Sequence, residues 1–104
     1  MTIYIVGPIT GIIDDNRAAF ESAKDEVFSR FPDAHIFIPH ELYEPDRAAR
    51  ICPALCWTEA MAVCLPYAEM ADFLVALPGW QKSRGARREI AKCREWVEYE
   101  EIFR

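Results

Sequence analysis

The stretch "DFLVALPGWQKSRGARREI", residues 72–90, decides the fold. Behind Asp72 comes an apolar run with no alternation, Phe73 to Leu77, then the turn Pro78-Gly79. A strand that is apolar on both faces is covered on both, which is the mark of a parallel sheet. Ser83 then stands as a helix N-cap, and the spacing predicts a helix running to about Trp96. A buried strand feeding a helix is one half of a crossover unit.

The same signal recurs upstream. "TIYIVG" (2–7) is a short β-rich run closed by Gly7-Pro8, and "AHIFIP" (34–39) is another, closed by Pro39. Between them Phe20, Ala23, Val27 and Phe31 recur at helical spacing, with Glu21, Lys24 and Asp25 on other faces, so residues 16–30 are expected to be helical with Asp15 or Asn16 as cap. Residues 8–15 and 40–53 read as loops. Residues 54–64 read as a helix that Pro66 breaks or restarts before Met70. "EYEEIFR" (98–104) reads as a short last strand or a fraying tail.

The order β-α-β-α-β-α-(β) predicts an α/β fold: a small doubly wound, flavodoxin- or Rossmann-like parallel sheet of about four strands with helices on both faces. One domain, 1–104, accounts for the length. Strand one is expected to be central. Ligands in such sheets bind outside the carboxyl ends of the strands, so the loops at 7–15, 39–47 and 78–83 are the places to look.

Composition narrows the functions. A net charge of −5 argues against a general nucleic-acid surface, although a local basic pocket can still hold a small anion. No apolar run approaches the roughly eighteen residues of a membrane span, and "MTIYIVGPITG" does not read as a signal peptide. Cys52, Cys56, Cys64 and Cys93 form no C-x-x-C pair, and with His35 and His40 they match no common zinc spacing. No metal is expected, and the cysteines read as free thiols in a reducing cytoplasm.

Residues 82–88 carry Lys82, Arg84, Arg87 and Arg88 at a helix start, where positive charge is disfavoured. Amides of Arg84, Gly85 and Ala86, left free behind Ser83, make an anion site, and a bound phosphate would account for the arginines. The competing reading is that the arginines face solvent and pair with Glu95, Glu98 or the acidic tail. Ala86, Ile90, Cys93 and Val97 read as the apolar stripe of this helix, with Glu89 on its border. Helical side chains lean toward the N-terminus, so Glu89 is expected to point at the mouth where the anion would sit, as a candidate nucleophile or base. The first loop offers Tyr4, Gly7, Pro8, Ile9 and Gly11, and His40 follows strand two.

"IYIVGPITG" together with "DFLVALPGWQKSRGARREI" resembles the nucleoside 2-deoxyribosyltransferase superfamily, in particular its short, often phage-encoded members. The similarity covers nearly the whole chain, and its most specific parts are the Y-x-x-G-P start and the S-x-G-x-x-x-E end. The resemblance implies a flavodoxin-like fold, a homodimer or larger assembly with the 54–64 helix at the interface, and no cofactor. It implies cleavage of the N-glycosidic bond of a 2′-deoxynucleoside or its 5′-monophosphate, with a glutamate attacking C1′ and the resulting ester passing to a base or to water. On this resemblance Glu89 matches the nucleophile, Tyr4 the tyrosine beside it, Gly7 the glycine under the ribose and His40, loosely, the loop beside the base. Ser83 stands where the family holds the 5′ end of the sugar, and a hydroxyl there resembles the branch that accepts a 5′-phosphate. One position departs. Eight residues ahead of Asp72 the enzymes carry an aspartate that orients the nucleophile and helps protonate the base; here that position is Cys64. The alternatives are therefore a nucleotide-binding module without turnover, or a phage or host interaction protein whose pocket is vestigial.

Overall fold

The computed structural model describes residues 1–9, 12–42 and 53–103. Its four strands, β1 (Thr2–Val6), β2 (His35–Phe37), β3 (Phe73–Ala76) and β4 (Trp96–Glu98), form one sheet in the order β2-β1-β3-β4. Every pairing is parallel, with Tyr4 opposite Phe37 on one side and Leu74 on the other. β1 is central, as its unbroken apolar run requires: Ile3, Tyr4, Ile5 and Val6 are all fully buried. The starts of the two central strands are tied together at Thr2, whose amide donates to Asp72 Oδ2 at 2.7 Å.

Alternation along β1 divides the core in two. Ile3 and Ile5 face α1 (Arg17–Arg30), packing on Phe20, Ala23 and Val27. Tyr4 and Val6 face the opposite side, where α3 (Pro53–Met70) supplies Cys64 and Ala68 and α4 (Arg84–Lys92) supplies Ala86. Among the described residues there are also two short α-helices, α2 (Pro39–Leu42) after β2 and α5 (Tyr99–Ile102) after β4.

Several boundaries differ from the sequence reading, each for a physical reason. Pro66 does not break α3; the helix runs through it to Met70. The proline removes the amide that would bond the carbonyl of Ala62, and both residues are exposed, so water can serve that carbonyl. Strand two is shorter than 34–39, because Pro39 opens α2 instead of closing the strand, a role its fixed φ suits. Neither Asp15 nor Asn16 caps α1 through its side chain. Both adopt left-handed φ, in a 3-10 turn over Ile13–Asn16, and the Asn16 amide donates to the Pro8 carbonyl at 2.9 Å. The helix at 84 stops at Lys92, not Trp96. Val97 is therefore not on its stripe: it lies in β4 and packs on the α1 side of the sheet, whereas Ile90 and Cys93 pack on the other. The tail is a helix and not a strand beyond Glu98, fastened to α1 by a hydrogen bond from Tyr99 to Glu26 and by Arg30 over the Phe103 ring. Gly11 and most of the 40–53 loop fall outside the described residues.

Candidate functional site

The site is built on the α3/α4 face of the sheet. Tyr4 projects from the middle of β1, Cys64 from α3 and Glu89 from α4, and the three meet beneath the carboxyl ends of the strands, 0%, 4% and 5% exposed respectively. Neither the Tyr4 hydroxyl nor Glu89 Oε2 has a hydrogen-bond partner. Each group nevertheless feels its neighbours. Burial pushes the Glu89 carboxyl up to about 7, and the nearby Tyr4 hydroxyl pulls the other way. Burial also drives the Cys64 thiol up to about 11; Tyr4 opposes this and the charge of Glu89 adds to it. The Tyr4 phenol is held far above its ordinary range by burial first, then by the negative charges Glu89 and Cys64 would carry. At neutral pH the cluster thus holds two fixed protons and one carboxyl close to half-ionised. A carboxyl poised near neutrality can attack or exchange a proton, whereas the thiol and the phenol are poor donors at that pH.

The buried carboxyl sets a measurable stability profile. Its folded pKa, about 7, lies above the ordinary 4.5, so the folded state binds more protons than the unfolded chain between those values. Stability from this group is complete below about 4.5 and is lost as pH rises through 7. In Glu89→Gln that dependence is absent. Relative to wild type the variant is expected to gain about 3 kcal/mol between pH 4 and pH 8 in urea unfolding. A constant difference across that range would show that folding does not raise the pKa of Glu89.

Ser83 caps α4 as expected, its Oγ accepting from the Ala86 amide at 3.1 Å. That bond corrects the anion-site reading: Ala86 N is already engaged, and a ligand would find only the amides of Arg84 and Gly85, which have no helical carbonyl ahead of them. Arg84, Arg87 and Arg88 are exposed. Gly7 is buried, and its lack of a side chain is explained by packing alone, since a methyl there would sit 2.9 Å from Leu77 Cβ. Pro8 and Ile9 are half-buried on the loop after β1. Pro8, Asn16, Ala19, Leu77 and Tyr99 line a cleft of ≈ 470 Å³ on the α1 side, apart from Tyr4 and Glu89.

His40 is buried and held by α1, its ring 4.7 Å from that of Phe20. Its Nε2 lies 2.7 Å from the Asp15 carbonyl, which can only accept, so Nε2 carries a proton, while Nδ1 is buried without a hydrogen-bond partner. The structure therefore joins Tyr4, Glu89 and Cys64, and puts Ser83 to Ala86 at the head of the helix that carries Glu89. It engages His40 elsewhere. Trp80, just after the Pro78-Gly79 turn, was missed as a site residue: it packs beside this core with Nε1 buried and unpartnered. An aromatic directly after a strand-ending turn was the available signal. Among the described residues no group of three His, Cys, Asp or Glu is placed to hold a metal, and no helix is long and apolar enough to cross a membrane. Cys64 and Cys93 are free thiols.

Residues 1–98 match the family described as Domain of unknown function (DUF4406), and the chain belongs to it. No curated protein and no solved structure matches.

Proposed function

We propose that this DUF4406 member acts on the N-glycosidic bond of a 2′-deoxynucleoside 5′-monophosphate, with Glu89 as nucleophile. The observation that carries the reading is a carboxyl buried beside a tyrosine hydroxyl, one turn inside a helix whose start is capped by Ser83 and flanked by arginines. The Glu89 carboxylate attacks C1′, the bond from C1′ to the base nitrogen breaks with its electrons going to the base, and the base takes up a proton from water. The deoxyribosyl ester on Glu89 then passes to water or to a second base. The 5′-phosphate is received by Arg84 with the amides of Arg84 and Gly85. Incubation with the four deoxynucleoside monophosphates, followed by chromatography for free base, tests the reading; no free base from any of them overturns it.

A second reading is favoured by one feature. Cys64 stands beside Glu89 and Tyr4, and its thiol is a poor proton donor at neutral pH. The same pocket would then bind a nucleotide without turning it over, which calorimetric binding in the absence of base release would identify.

The assembly we infer is a homodimer through α3. Val63, Tyr67 and Met70 form an exposed apolar row along that helix, at 37%, 39% and 78% exposure. An isologous pair is the commonest way to cover such a row. Sedimentation at tens of micromolar is expected to give twice the monomer mass in wild type and a monomer in Tyr67→Glu; a monomeric wild type refutes the dimer.

A further inference from the structure

Charge is segregated in this chain. Six of its twelve Lys and Arg residues, Lys82, Arg84, Arg87, Arg88, Lys92 and Arg94, fall within residues 82–94, against one of its seventeen acids, Glu89. All six cationic residues are exposed, and the one acid is buried with its carboxyl raised toward neutrality. The outer surface of α4 is thus basic on a protein that is acidic as a whole, and the acids resume at Glu95 and Glu98 on either side of Trp96. The net charge of −5 speaks against a nucleic-acid surface only if the charges are evenly spread, and here they are not.

A second observation is independent of charge. Trp96, on the edge strand β4, is 38% exposed, and its ring meets that of Trp80 edge-on at 5.0 Å. In register Trp96 is opposite Leu74, whose side chain belongs to the α3/α4 side of the core. The tryptophan pair therefore stands on the same face of the sheet as α4, at its open edge. α4 is nine residues long, and on its surface cations four residues apart are separated by about 6 Å, so the helix presents a basic row of roughly 14 Å. One monophosphate is much shorter than that row. A chain of phosphates is not, and four of the six cations are arginines, whose planar fork suits phosphate oxygens.

We propose that α4 and the Trp80–Trp96 pair form a binding strip for single-stranded nucleic acid, the basic row following the backbone and Trp96 stacking on a base. This combination of a positive track with an exposed aromatic is how strands are held without sequence readout. The strip shares Arg84 and the helix α4 with the proposed phosphate site, but Trp96, Lys92 and Arg94 take no part in the chemistry proposed for Glu89.

The test is fluorescence anisotropy with a labelled oligothymidylate of about twelve nucleotides, together with quenching of the intrinsic tryptophan signal. If about four phosphates are engaged, affinity should fall roughly 50-fold between 50 and 200 mM salt. The double variant Lys92→Glu, Arg94→Glu, both at exposed positions away from the helix start, should weaken binding at least about 10-fold. Trp96→Ala should lose about 10-fold while keeping the salt slope, because a stacking contact carries no charge. Circular dichroism of both variants checks folding, and release of base from a deoxynucleoside monophosphate should persist in both. Absence of binding at 50 mM salt overturns the proposal. So does equal binding of polyglutamate without tryptophan quenching, which would identify an acidic protein as the partner.

Discussion

Replacing Glu89 by Gln is expected to bring release of free base from a deoxynucleoside monophosphate down to background. The amide is nearly isosteric and removes the attacking oxygen, so the covalent route closes while the fold remains. The same logic fixes the pH dependence in wild type. Attack needs the ionised carboxylate, and burial holds that group near 7. Activity should therefore rise about tenfold per unit below pH 7 and level off above it, as a single-group titration read from initial rates. A profile that falls through pH 7 would assign Glu89 as a proton donor and not as a nucleophile. Residual cleavage in Glu89→Gln at wild-type rate would remove it from the chemistry altogether.

Cys64→Asp is expected to raise base release 10-fold or more, since a positioned general acid typically contributes 10²–10⁴. With Glu89 ionised for attack, neither of its two neighbours is a ready donor: the Cys64 thiol is pushed to about 11 and the Tyr4 phenol well beyond its usual range. An aspartate at that position would share its surroundings with Glu89, and two carboxyls in one buried site do not both ionise easily. One would hold a proton for the leaving base. The substitution has a cost, on the order of 1–3 kcal/mol for a buried polar group with incomplete bonding, so urea unfolding must accompany the assay. In the double variant Cys64→Asp, Glu89→Gln the gain should vanish. A folded Cys64→Asp protein with no gain, from a wild type that binds deoxynucleotide but never cleaves it, would favour the binding-module reading.

The parallel sheet was legible because its central strands are buried on both faces and so read as unbroken apolar runs; Ile3 to Val6 and Leu74 to Ala76 are the evidence. The α1 stripe at Phe20, Ala23 and Val27 was legible for the same reason, and Ser83 was readable as a cap from its place after a turn. What failed depended on context beyond a window of sequence. Nothing local says that the carbonyl orphaned by Pro66 faces solvent. Val97 continues the α4 spacing by coincidence, although its side chain crosses to the other side of the sheet. Asn16 has a capping side chain, but the Pro8 carbonyl captures it first. In the site, Glu89 and Cys64 could be named from the chain. Their meeting with Tyr4 at the sheet surface is a property of three elements packed together. Trp80 and Trp96 are sixteen residues apart and are joined only by the β3-to-β4 crossover.

The central place of β1 has a consequence for biosynthesis. Of the four strands, the earliest in the chain is one of those that must be sandwiched: it pairs with β2 about 33 residues later and with β3 about 70 residues later, down to the bond from Thr2 to Asp72. At a synthesis rate of 5–20 residues per second, roughly 4–14 seconds separate the making of Val6 from that of Ala76. During that interval a strand whose residues Ile3 to Val6 end fully buried has one flank without a partner. Tyr4 is then still bare of α4, which is made last of the three elements around it. Local helices such as α1 can form early, but the sheet must wait for contacts distant along the chain, and it is these that set the pace of folding. The buried carboxyl therefore enters its low-dielectric setting only at the end, when most of the fold that keeps its proton is already in place.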